Sequence, residues 1–117
     1  MTVPDDVVDG LGSLPAANIG DSMDRLNVLD GAIRPMWAGA KLAGRAVTVY
    51  LAGGDNKGIH EVLPTLQPGD VLVVNGQGVT HRALIGELIA GRAAKRGCRG
   101  FVIDGAVRDV EDLAEIG

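Results

Sequence analysis

Apolar positions recur along the chain with two periods, and each change of period marks a new element. Ile19, Met23 and Leu26 follow the i, i+4, i+7 spacing of one helical face. A first helix is therefore expected from about Ala16 to Leu26, with Asp30-Gly31 breaking the chain behind it. Between Leu42 and Leu51 the period shortens to two: Val47 and Val49 alternate with Thr48 and Tyr50, as in a strand. Ile59, Val62, Leu63 and Leu66 return to helical spacing, in a short amphipathic helix whose regularity Pro64 limits.

Pro68-Gly69-Asp70 is turn chemistry, and the run Val71-Leu72-Val73-Val74 that follows has the unbroken apolar character of a strand buried on both faces. Leu88, Ile89, Ala93 and Ala94 propose a helix that ends at Lys95-Arg96-Gly97, where basic residues and then a glycine suit a carboxyl terminus. Phe101-Val102-Ile103 reads as another buried strand, and Val110 to Ile116 opens one more helix. Strand, helix, strand, helix implies a βαβ unit with parallel strands, hence an α/β class, while the first half is less regular.

With 117 residues the chain has the size of one domain, taken to span residues 1–117. Its last helix stops at Gly117 with nothing behind it to cover that side of the sheet. A domain cut short at its carboxyl end, or completed by a partner, is expected.

Composition narrows the classes of function. Hydrophobic residues make up 46% of the chain, yet no apolar run approaches the roughly 18 residues of a membrane span. The amino terminus, Met1-Thr2-Val3-Pro4-Asp5-Asp6, is acidic where a secretory signal is basic, so a cytoplasmic protein without a membrane anchor is expected. The net charge of −4 contains no block of like charges, and Trp37, Tyr50 and Phe101 are too few for a base-stacking platform. Direct binding of nucleic acid is disfavoured. Cys98 has no disulfide partner and no metal-ligand spacing; Arg96 and Arg99 nearby allow a reactive thiol, but a plain structural one is preferred.

Several constellations invite chemistry and fall short. Gly76-Gln77-Gly78 follows a buried strand and precedes a helix, as a dinucleotide fingerprint does, but the third glycine position is His81. Backbone turning is the better account of those glycines. His60 and His81 lack a serine elbow or a cysteine signature, and Lys41, Lys57 and Lys95 lie near polar or basic neighbours rather than in the desolvating pocket that a catalytic lysine needs.

The stronger pair of segments is Gly86-Glu87-Leu88-Ile89, at the opening of a helix, and Asp104-Gly105-Ala106-Val107-Arg108-Asp109, after the next strand. Both are expected at the carboxyl ends of neighbouring strands, where ligands bind in open α/β sheets. The free amides of Glu87 to Ile89 suit a carboxylate, Arg108 adds a planar fork of donors, and Asp109 offers an oxygen to a hard divalent cation. Together they suit a small 2-oxo acid. The plainer alternative is that Arg108 and Asp109 cap the last helix and pair with each other or with Glu111.

The same segments carry a family resemblance. Leu42 to Val49, Pro68 to Gly76, Ala83 to Ala90 and Gly100 to Asp109, with Glu87 followed after twenty residues by Arg108-Asp109, resemble the proteins related to regulator of ribonuclease activity A. That family includes the 4-hydroxy-4-methyl-2-oxoglutarate aldolases. The resemblance covers most of the chain from about Ala16 onward and implies a swivelling β/β/α-type domain with a central sheet flanked by helices. The family's carboxyl-terminal strands are missing here.

As the resemblance implies, Arg108 binds the substrate carboxylate, and Asp109 holds magnesium or manganese largely through water. The amides of Gly86, Glu87, Leu88 and Ile89 receive the pyruvyl end. Glu87 is left to assist proton transfer or position a water, and Asp112 matches a further acidic position. The implied enzyme is a metal-dependent pyruvate aldolase that also decarboxylates oxaloacetate, assembled as a homotrimer or hexamer. The family's other branch inhibits ribonuclease E through protein contacts and tends to lack the full acidic and Arg-Asp set, so the set present here favours the enzyme.

Overall fold

The apolar run after Pro68-Gly69-Asp70 becomes the centre of the molecule. In the computed structural model, which describes residues 2–117, the elements are α1 (Asp5–Gly12), α2 (Ala16–Ser22), β1 (Arg45–Tyr50), α3 (Lys57–Val62), β2 (Asp70–Asn75), β3 (Ala83–Ile85), α4 (Glu87–Lys95), β4 (Gly100–Asp104), β5 (Ala106–Val107) and α5 (Val110–Ile116). Strand β2 lies between β1 and β4 and is parallel to both. The register aligns Val47 with Leu72 and Phe101, and Val49 with Val74 and Ile103, so apolar side chains form rows across the sheet. Helices α3 and α4 are the crossovers that parallel pairing requires. Their buried residues, Ile59 on α3 and Ile89 and Ala93 on α4, close over Leu72 and Val74.

The α/β class is what the structure has, and the expectations for β1 and β2 hold, whereas β4, expected to be a buried strand, lies at the sheet edge. Val47 and Val49 point inward with Thr48 and Tyr50 outward, and β2 is buried along most of its length, whereas Phe101, Val102 and Ile103, on an edge strand, are only half-buried. Pro64 does end α3: the chain tightens into a 3-10 turn over Leu63–Thr65. Among the described residues no helix is long and apolar enough to cross a membrane.

Three readings need correction. Helix α2 stops at Ser22, leaving Met23 and Leu26 40% and 64% exposed rather than sharing a buried face with Ile19. The reason is a left-handed Asp24 (φ 56°), after which the Arg25 amide reaches back to the Gly20 carbonyl at 2.8 Å and the Asp24 amide to Asp21 at 3.2 Å. On α4 the buried face is Ile89, Ala90 and Ala93, while Leu88 and Ala94 are exposed. Helix α4 also does not follow β2 directly, because β3 intervenes and pairs in parallel with β5 as a separate two-stranded sheet.

Candidate functional site

The two segments expected to converge do so, at the carboxyl ends of β3 and β5 rather than of β2 and β4. The small sheet is the frame: the Arg108 amide donates to the Ile85 carbonyl at 3.0 Å, which sets the start of α4 beside the start of α5. Gly86 caps the amino end of α4, and its lack of a side chain is required there. A Cβ at Gly86 would stand 2.6 Å from Asp109 Oδ2 and 2.9 Å from Arg108 Cγ.

Asp109 occupies the N-cap of α5 in a left-handed conformation (φ 57°, ψ 42°), and its carbonyl accepts from the Leu113 amide at 2.9 Å. Its side chain caps the other helix. Oδ2 accepts the backbone N–H of Glu87 at 3.0 Å and the Nε–H of Arg108 at 3.4 Å. Oδ1 has no protein partner among the described residues. The Glu87 amide first, and then the hydrogen bond and charge of Arg108, hold the Asp109 carboxyl below its usual range against the upward push of partial burial. The site is open, with the Arg108 side chain 72% and that of Asp109 32% exposed.

The plainer alternative is thus half right: Arg108 and Asp109 pair with each other, but Asp109 makes no side-chain bond to α5. The Glu87 side chain is exposed in the first turn of α4, Leu88 is 80% exposed, and the Ile89 side chain is turned into the core so that only its backbone faces the helix end. Asp112 is exposed in the first turn of α5.

No group of three or more His, Cys, Asp or Glu is placed to cage a metal among the described residues. Magnesium does not demand such a cage; it keeps several waters and takes one or two carboxylates. An ionised Asp109 with Oδ1 free has the chemistry for that share of a hydrated cation.

The other candidates disperse. His60, His81, Lys41, Lys57 and Lys95 are all exposed, so no lysine is desolvated, and Cys98 donates to the Gly100 carbonyl at 3.4 Å. Gly76-Gln77-Gly78 is a backbone turn. Gln77 (φ 57°) and Gly78 (φ 67°) are left-handed, and a Cβ at Gly76 would meet the Asp104 carbonyl at 2.5 Å. Gln77 and Asn56 were not singled out as braces, yet Gln77 Nε2 donates to the Leu51 carbonyl at 2.7 Å and Asn56 Nδ2 to that of Leu84 at 3.2 Å. For Gln77, a side-chain amide between two turn glycines was the available signal.

Residues 16–117 match the family described as RraA-like, Aldolase/RraA. A protein of Halalkalibacterium halodurans, provisionally named 4-hydroxy-4-methyl-2-oxoglutarate aldolase, is 35% identical over 105 residues, covering 90% of this chain and 50% of the relative. A relative in Alcanivorax borkumensis with the same provisional name is 38% identical over 96 residues, covering 82% of this chain and 60% of its own. The chain therefore spans half to three-fifths of the length of these curated relatives. Among solved structures, the RNA-processing inhibitor RraA from Thermus thermophilis superposes with a TM-score of 0.77 at 33% identity, over 89% of this chain and 63% of that one. A Streptomyces coelicolor protein, described as an unusual member of the RNase ES inhibitor RraA family, superposes at 0.86 with 26% identity, over 100% of this chain and 61% of its own.

Proposed function

The chain belongs to the RraA-like, Aldolase/RraA family, and from that premise we propose that it carries the site of a cytoplasmic, divalent-cation-dependent lyase. The substrate is a 2-oxo diacid of the 4-hydroxy-4-methyl-2-oxoglutarate type, cleaved to pyruvate, with oxaloacetate decarboxylated at the same site. One observation carries the reading: Arg108, Asp109 and the amino end of α4 meet at one point, held there by hydrogen bonds of 3.0 and 3.4 Å.

Each group has a task that follows from its chemistry. The Arg108 guanidinium and the first-turn amides of α4 bind the carboxylate beside the ketone, fixing the plane of the 2-oxo acid. Asp109 holds magnesium or manganese, which when bound supplies Lewis-acid stabilisation for negative charge developing on the ketone oxygen. In the aldol cleavage the bond between C3 and C4 breaks, the C4 hydroxyl loses its proton, and C3 gains one. Glu87, exposed in the first turn of α4, is the group within this chain assigned to carry that proton or to position a water that does. A homotrimer or hexamer is the assembly proposed.

Pyruvate release is measured from each substrate with magnesium or manganese, before and after chelation. Cation-dependent release that Arg108→Ala abolishes supports the reading; release that survives chelation, or full activity in Arg108→Ala, overturns it. A second reading, regulation of ribonuclease E by protein contact, rests on the inhibitors among the structural relatives. Binding to ribonuclease E without detectable pyruvate release favours it.

A further inference from the structure

Resting on that reading, we propose that Asp109 is also an internal occupant of the substrate's anion seat: without the cation its carboxylate covers one of the α4 amides assigned to the 2-oxo acid, so cation and substrate bind in coupled order, cation first. Two of the donors assigned to the substrate carboxylate are already engaged. The Glu87 amide and Arg108 Nε both point at Asp109 Oδ2. A carboxylate already stands where a carboxylate is to bind.

The backbone puts it there. An aspartate at a helix N-cap ordinarily takes a β-region conformation and accepts an amide of its own helix. Asp109 is left-handed instead, makes no side-chain cap on α5, and reaches across to α4. Gly86 leaves the room, since any side chain there would meet the same oxygen. An incoming carboxylate would share one N–H and one guanidinium edge with a like charge, an arrangement that disfavours keeping both ionised. A cation held by Asp109 would neutralise its charge and weaken its hold on the amide. By linkage, cation and anion then strengthen each other's binding by the same factor.

Removing a residue assigned to the metal thus improves anion binding when no metal is present. The test titrates pyruvate into the chelator-treated 117-residue chain, followed by calorimetry and by the Glu87 amide resonance. Asp109→Gly is the main variant, because glycine adopts φ near +57° without strain. Pyruvate is expected to bind it roughly tenfold more tightly than wild type, within the ~5–150-fold span of coupled sites. Asp109→Asn, at ease in the same backbone region, loses the charge but keeps an acceptor and falls between, which preserves the test if glycine unfolds the chain.

Glu111→Gln removes an exposed carboxylate from the same helix and is expected to leave pyruvate affinity unchanged. Magnesium is expected to tighten pyruvate binding in wild type and to add little in Asp109→Gly. No gain in Asp109→Gly and Asp109→Asn, or an equal gain in Glu111→Gln, overturns the internal-occupant proposal while cation-dependent pyruvate release still stands for the lyase. Absence of both release and binding in every form overturns the lyase reading and this one with it.

Discussion

Gly86 shows how closely the site is drawn at the level of single residues. Its φ of −151° is open to any amino acid, so alanine is excluded there only by the Asp109 oxygen and the Arg108 side chain. Gly86→Ala is accordingly expected to leave the far-ultraviolet circular dichroism unchanged while displacing the pair and lowering kcat/KM for pyruvate release by at least about tenfold, the scale of loss that misplacing a site group by 1 Å can exceed. Arg108→Lys separates charge from shape. Lysine keeps the cation but not the planar fork, so KM is expected to rise although the charge is retained. That Arg108, Asp109 and Glu87 would lie together was legible from their expected place at the carboxyl ends of strands and from the family resemblance. That Asp109 would turn its carboxylate onto the Glu87 amide was not, because nothing in the order Arg108-Asp109-Val110 announces a left-handed aspartate.

The same blind spot operates on whole elements. Helices α2 and α4 end alike, each with a left-handed residue and an amide reaching back five positions, Arg25 to Gly20 and Cys98 to Ala93. At α4 the left-handed residue is Gly97, the expected stop signal, and the end was legible; at α2 it is Asp24, and the apolar period ran on past the true end. Strands β3 and β5, three and two residues long, are too short to show any period. Helix α1 was missed because Gly10 and Gly12 dilute its pattern, although Asp5 and Asp6 in its first turn suit the helix dipole. It buries only Val8 and is tied down by Asp5 to Arg45 and by Asp9 to Arg99 at 3.1 Å. The Arg45 hydrogen bond and charge hold the Asp5 carboxyl below its ordinary 3.8. A lowered folded value means that this tie is complete above about pH 4 and is lost as pH falls through the folded value. Limited proteolysis between α1 and α2 is therefore expected to accelerate below that range in wild type, and to be fast already at neutral pH in Asp5→Asn/Asp9→Asn.

Across the whole molecule, stability and chemistry are set in different places. The core runs along β2 under α3 and α4, with Leu72 and Leu84 fully buried, so Leu72→Ala is expected to lower the unfolding free energy by about 2–5 kcal/mol in denaturant titrations. The candidate site lies on the small β3–β5 sheet at one end, and α1 spans the opposite one, where β1 and β4 begin. Arg45 opens β1 and Arg99 precedes β4, while Asp70, buried at the head of β2, stands between them. With α1 in place two of its three aspartates, Asp5 and Asp9, answer the two arginines. Were a protease to clip α1 away, the sheet would keep its core but its far end would carry two arginines against one shielded carboxylate. The molecule would then present a positive pole remote from its own anion site.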